Sequence, residues 1–193
     1  MTKLRNSVLI RAVRTYFAYP EDKSTQNAIV IFTDIMGMDF PNVQLIADQF
    51  AANGYFTVVP DLFNGNVVPI NPPADFDISK WLQNDMPQVP KVDPIIESVI
   101  KHLRGELGVK RLGGVGYCFG GKYVCRWLKE GSLDVGYTAH PSFVSAEELQ
   151  SIKGPLSIAA AGKCIVWSGH SHRLSHGQRD EVRIIRMVLQ QQN

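Results

Sequence analysis

Short, almost wholly apolar runs alternate with segments of helical spacing along most of this chain, and that alternation restricts its fold more than any other feature. "NAIVIFTD" reads as a strand buried on both faces. "PNVQLIADQFAANGY" follows with helical spacing and stops at Gly54, a residue suited to a helix C-terminus. "YFTVVPD" is the next strand. "VDPIIESVIKHLRGELG" is then a helix with Asp93 as N-cap and Pro94 in its first turn. "KRLGGVGYC" is a strand, "GGKYVCRWLKEG" a helix ended by Gly131, and "DVGYTAHP" and "PLSIAAA" further strands. "SVLIRAVRTYFAY" at the start has the residue types of one more strand, and "DFDISKWLQND" those of a short helix. Residues 62–75, rich in Pro, Gly and Asn, read as a surface excursion. Four or more strand-to-helix alternations predict an α/β fold, a mostly parallel sheet with helices on both faces.

With 193 residues the chain can bury a sizeable core, and 45% hydrophobic with 20% charged residues is ordinary for a folded protein. A net charge of +2 gives no reason to expect nucleic acid as a partner. No run approaches the ~18 apolar residues of a membrane span, and "MTKLRNSVLIRAVRT" is a poor signal peptide. Cys118, Cys125 and Cys164 are an odd, sparse set, which points to a reducing compartment and a cytoplasmic protein. Nothing here indicates an oligomeric state.

"GVGYCFGGKY", residues 114–123, supports two incompatible readings. Gly116, Gly121 and Lys122 nearly spell a phosphate-binding loop. That loop needs a Ser or Thr after the lysine to hold magnesium, and Tyr123 stands there instead. Gly116, Cys118 and Gly120 spell a nucleophile elbow with sulfur in the reactive position. Small residues two before and two after the nucleophile prevent clashes in a sharp strand-to-helix turn. Cys118 then sits at a helix N-terminus, where the dipole favours a thiolate, and the N–H of Phe119 supplies half of an oxyanion hole. The elbow is the better fit. The alternative is a tight turn with an inert cysteine, and Cys125, seven residues on, reads as core.

With the elbow in place, five pieces in order resemble the dienelactone hydrolase family, cysteine-nucleophile members of the α/β-hydrolase fold. They are "TDIMGMD", "GYFTVVPDLFNG", "GVGYCFGGKY", "YTAHPSFV" and "PLSIAAA", the fourth being most similar to fungal members. The resemblance implies a carboxymethylenebutenolidase-like hydrolase that cleaves a small ester or lactone through an acyl-cysteine intermediate, without cofactor or metal. It implies Cys118 as nucleophile and Ile35 as the residue whose N–H joins Phe119 in the oxyanion hole. Asp34 falls where many members carry a glutamate near the thiol; an Asx turn is the alternative role. His140, at a strand end on the expected active-site edge, is geometrically possible as a base but reads better as a packing or pocket residue in the thiol's environment.

The chain departs from the family pattern after Ala161. Residues 1–161 read as the dienelactone-hydrolase-like domain, and 162–193 as an atypical tail with five Lys/Arg against two acids. No Asp or Glu lies between Glu148 and Asp180, so the triad acid is absent from its expected place. "LSHGQR" makes His176 the candidate base, yet only 15 residues separate it from Ala161. An arginine for a substrate carboxylate is expected within 62–90, which holds only Lys80. Cys164, His170, His172 and His176 match no common zinc spacing. The tail suggests an altered reading frame or splice product and predicts that the family's last strand and helix are missing, with "RDEVRIIRMVLQQQN" forming a short helix. Two readings follow: an impaired ester or lactone hydrolase, or a non-catalytic remnant that keeps a ligand- or partner-binding surface.

Overall fold

The computed structural model describes residues 7–160 and the strand 183–187. The chain divides into two units, Met1–Leu112 and Gly113–Asn193. In the first, β1 (Ser7–Ile10) and β2 (Val13–Ala18) form an antiparallel hairpin where the sequence suggests one strand. Arg11 and Ala12 make the turn with φ of 46° and 76°. Such a two-residue turn usually advertises itself through Asn-Gly, and this one carries neither residue.

Within this unit the strand order is β1-β2-β4-β3. β4 (Phe56–Pro60) pairs antiparallel with β2 and parallel with β3 (Asn27–Phe32). Val30, Ile31 and Phe32 are buried, as the continuous apolar run requires. Between β3 and β4, α1 (Pro41–Ala52) starts on a proline whose missing N–H costs nothing at that position. Gly54, at φ 88°, turns the chain just after it. The Tyr16 hydroxyl donates to Asp48 at 2.7 Å and ties β2 to α1.

The 62–75 excursion lacks regular structure but is anchored by buried Leu62, Phe63 and Val68. Asp77 caps α2 (Ile78–Lys80), which runs into a π-turn over Trp81–Asp85. The buried Trp81 ring lies 6.2 Å from that of Phe63, centroid to centroid. α3 (Val89–Lys101) begins five residues before the predicted start. Pro90 therefore occupies the first turn, and Pro94 lies inside the helix. Pro94's missing N–H would have bonded to the carbonyl of Pro90, so one hydrogen bond is forgone without ending the helix.

In the second unit the order is β5-β6-β7-β8. β5 (Arg111–Tyr117), β6 (Val135–Ala139) and β7 (Leu156–Ala160) pair in parallel. α4 (Phe119–Trp127) joins β5 to β6 and buries Phe119, Tyr123, Val124 and Trp127. It ends at Leu128 rather than at Gly131, which instead serves a later turn at φ 76°. α5 (Ala146–Gln150) leads into β7 and carries a complete capping box between Ser145 and Glu148.

The tail holds the main correction to the sequence reading. Arg183–Met187, expected in a helix, forms β8, antiparallel to β7 in the register Ile158↔Ile185. β7 is thus paired along the side that the sequence reading left as an open edge. A strand reached through a crossover helix would run parallel, so β8 differs in direction from the strand the family pattern leads one to expect. Among the described residues no helix is long and apolar enough to cross a membrane. The molecule is an α/β protein with a mostly parallel sheet.

Candidate active site

The strand-to-helix turn after β5 puts Cys118 at φ 50° and ψ −112°, outside the regions open to ordinary side chains. Such a conformation costs of the order of 1–3 kcal/mol and persists only where its surroundings impose it. Here three backbone hydrogen bonds do so. The Cys118 N–H donates to Ala139 O at 3.1 Å, continuing the β5–β6 pairing. Its carbonyl accepts from the N–H groups of Gly121 (3.1 Å) and Ser142 (3.0 Å).

Glycine is required on the approach to this turn. A Cβ on Gly116 would stand 2.6 Å from the Gly120 oxygen and 2.7 Å from Val124 Cγ2. One on Gly121 would meet Thr138 Oγ1, and Pro141 Cβ at 2.7 Å. The first glycine lets α4 close on β5; the second lets the 140–145 loop come down over the start of α4.

The two described thiols have different surroundings. Cys118 is half-buried, with its Sγ 3.5 Å from Ser142 Oγ. Cys125 is buried in the core, as its position along the helix suggested. Burial, assisted by the negative charge of Glu148, pushes the Cys125 thiol up to about 12. It stays protonated at neutral pH and plays no nucleophilic part.

The loop bearing Ser142 is held by charge. Lys122 Nζ donates to Phe143 O at 2.8 Å and to Glu148 at 2.9 Å. Glu148, buried at the start of α5, also accepts from the Ser145 N–H at 2.9 Å, and Arg126 approaches it at 3.5 Å. Lys122 is therefore committed to this carboxylate, which removes it from the phosphate-loop reading. His140 and Phe143 take positive φ values of 40° and 61° in the same loop. The His140 N–H donates to Ala159 O at 2.7 Å while the residue itself is exposed, so it is not a packing residue. Ser142, and the part that Lys122 and Glu148 play in holding its loop, escaped the sequence reading. "AHPSF" marked the loop, and the S-x-x-E spacing of Ser145 and Glu148 was the legible trace of its anchor.

In the first unit, the chain after β3 turns on Asp34. Its Oδ1 accepts the Met36 N–H at 2.8 Å and its carbonyl that of Gly37 at 3.2 Å, an Asx turn. Ile35, the next residue, is pinned through its carbonyl, which accepts the Val68 N–H at 2.9 Å. Arg14 bridges Asp39, at 2.7 Å, and the buried Asp61, at 3.0 Å, so the loop is tied to β2 and to the end of β4. His176 and the Cys164, His170, His172 group lie outside the described residues.

Comparison with known proteins decides what this elbow belongs to. Residues 13–181 match the model of the dienelactone hydrolase family. The chain belongs to that family. The match passes the boundary that the sequence suggests at Ala161 and includes His176. The chain is similar to Hydrolase tropI of Talaromyces stipitatus, 47% identical over 90% of this chain and 71% of that protein. It is 51% identical to Hydrolase pyvD of Aspergillus violaceofuscus over 78% of this chain, but spans only 61% of that relative's length. Among solved structures it resembles a dienelactone hydrolase-like promiscuous phosphotriesterase from metagenomic libraries, with a TM-score of 0.61, 17% identity, and coverage of 86% of this chain and 71% of that one. That likeness supports the α/β-hydrolase fold. In keeping with the likeness to fungal members seen in the sequence, both of these hydrolases come from fungi.

Proposed function

We propose that this chain hydrolyses small esters or lactones through an acyl-cysteine intermediate, with Cys118 as nucleophile and no cofactor. The observation that carries this reading is the strained Cys118 backbone at a glycine-lined strand-to-helix turn, in a chain that belongs to the dienelactone hydrolase family. An inert cysteine gains nothing from a conformation that costs energy; a nucleophile gains exposure at the head of a helix.

The Cys118 thiolate adds to the substrate carbonyl carbon, and the carbonyl oxygen takes the negative charge. The N–H groups of Phe119 and Ile35, the residues the family pattern assigns, stabilise that oxyanion. Collapse breaks the bond to the alkoxide oxygen, which takes a proton from water as it leaves, and the acyl group stays on sulfur. Water then adds to the thioester, giving up a proton to a base. The carbon–sulfur bond breaks, releasing the acid and restoring the thiolate.

Acylation needs the thiolate and the two donors; deacylation needs a base, worth roughly 10²–10⁴-fold. His176 is the base we assign. No acid lies between Glu148 and Asp180 to orient it, so deacylation limits turnover. Asp34, held in its Asx turn, borders the oxyanion-loop residue Ile35, and exposed His140 belongs to the loop that carries Ser142. We place the protein in the cytoplasm, where Cys118 and Cys125, both free, stay reduced.

Steady-state hydrolysis of p-nitrophenyl acetate and of a small lactone panel tests this, with Cys118→Ala alongside the parent. Slow turnover abolished by Cys118→Ala is expected. Turnover that survives the substitution overturns the nucleophile assignment, and no hydrolysis by either protein favours the non-catalytic remnant.

A further inference from the structure

The family pattern and the elbow give roles to Cys118, Phe119 and Ile35, but not to Ser142, whose hydroxyl lies within hydrogen-bonding reach of the sulfur. Ser142 Oγ lies 3.5 Å from Cys118 Sγ, and the Ser142 N–H already donates to the Cys118 carbonyl at 3.0 Å. One residue thus touches both the backbone and the sulfur of Cys118. A thiolate has no proton, so once Cys118 ionises the hydroxyl can only be the donor.

We propose that Ser142 is a further catalytic residue, its hydroxyl donating a hydrogen bond to the Cys118 thiolate and so favouring the ionised, reactive form. The role rests on Cys118 being the nucleophile. The loop is built to hold the hydroxyl in place. Gly121 leaves room for Pro141, Lys122 grips the Phe143 carbonyl, and Glu148 receives Lys122 and the Ser145 N–H. Positive φ at His140 and Phe143 bends the chain on both sides of Ser142. Lys122 and Glu148 act only through this loop and are positioning residues.

The test is the pH dependence of iodoacetamide alkylation at Cys118, followed by peptide mapping, in the full chain and in Ser142→Ala and Ser142→Thr. Losing a hydrogen bond to a charged sulfur should slow alkylation roughly tenfold on the rising limb of the profile. The midpoint should move to higher pH, with the high-pH plateau unchanged. Ser142→Thr keeps a hydroxyl and should restore the parent midpoint. A purely structural role would change the plateau or the melting temperature without moving the midpoint. Superimposable profiles for Ser142→Ala and the parent would overturn the proposal, as would a shift that Ser142→Thr shares in full. Alkylation needs no ester turnover. A shifted midpoint in a protein that hydrolyses nothing would sustain Ser142's effect on the thiolate and sink the hydrolase reading. An unshifted midpoint in an active enzyme would do the reverse.

Discussion

At Gly116 one missing methyl group separates this tight strand-to-helix turn from a steric conflict. The groups that a Cβ would strike are the Gly120 carbonyl and Val124, neither the loose end of a long side chain. Gly116→Ala should therefore cost about 1–3 kcal/mol in urea unfolding and lower the Cys118 acylation rate. Cys125 gives a second prediction. Its thiol, ordinarily at 9.0, is raised to about 12 by burial first and by Glu148 second. The native state keeps a proton that the unfolded chain releases, so this stability is fully present below about pH 9 and is lost as pH rises towards 12. Cys125→Ala should flatten the fall in melting temperature across that window. At about pH 8 the native protein should be alkylated at Cys118 and not at Cys125, whose thiolate fraction is on the order of 10⁻⁴. The different surroundings of the two thiols were legible because spacing along a helix separates an N-terminal cysteine from one about two turns deeper. Ser142 was not, because its contact with Cys118 spans 24 residues.

Among the elements, α5 and the loop before it depend on one buried carboxylate. Glu148 accepts from Lys122, from the Ser145 N–H and from Arg126. Glu148→Gln retains the shape and loses the charge. It should reduce stability by about 1–3 kcal/mol in denaturant titration, with the pH profile of Cys118 alkylation shifting in the same direction as in Ser142→Ala. The strands β3 to β7 and helices α1 and α4 could be read from the sequence because periodicity and buried apolar runs are local signals. Three features could not. The β1–β2 turn uses Arg11 and Ala12 in conformations that usually select Asn or Gly. The start of α3 was obscured by two prolines, Pro90 and Pro94, that both suit a first turn. β8 carries apolar residues that fit a short helix as well as a strand, and only pairing with β7 decides between them.

For the whole molecule, the fold is the dienelactone hydrolase family's α/β architecture, and the unusual feature is an antiparallel strand beside β7. A chain ending at Ala160 would present β7, with its apolar "LSIAA", as an unpaired edge. Such a truncation should elute as aggregates in size-exclusion chromatography, whereas the full chain should not. Family membership was legible from five short pieces because each reports a constrained turn or a buried strand. Turnover was not, because the base we propose, His176, lies outside the described residues, and no Asp or Glu lies between Glu148 and Asp180. The central claim, that Cys118 is the nucleophile, is tested most directly by intact mass and peptide mapping after brief exposure to p-nitrophenyl acetate. The account predicts one acetyl group on Cys118, nitrophenol released in a burst close to the protein concentration, and no such label in Cys118→Ala. Nitrophenol release with Cys118 unmodified, or the same label in Cys118→Ala, would contradict it.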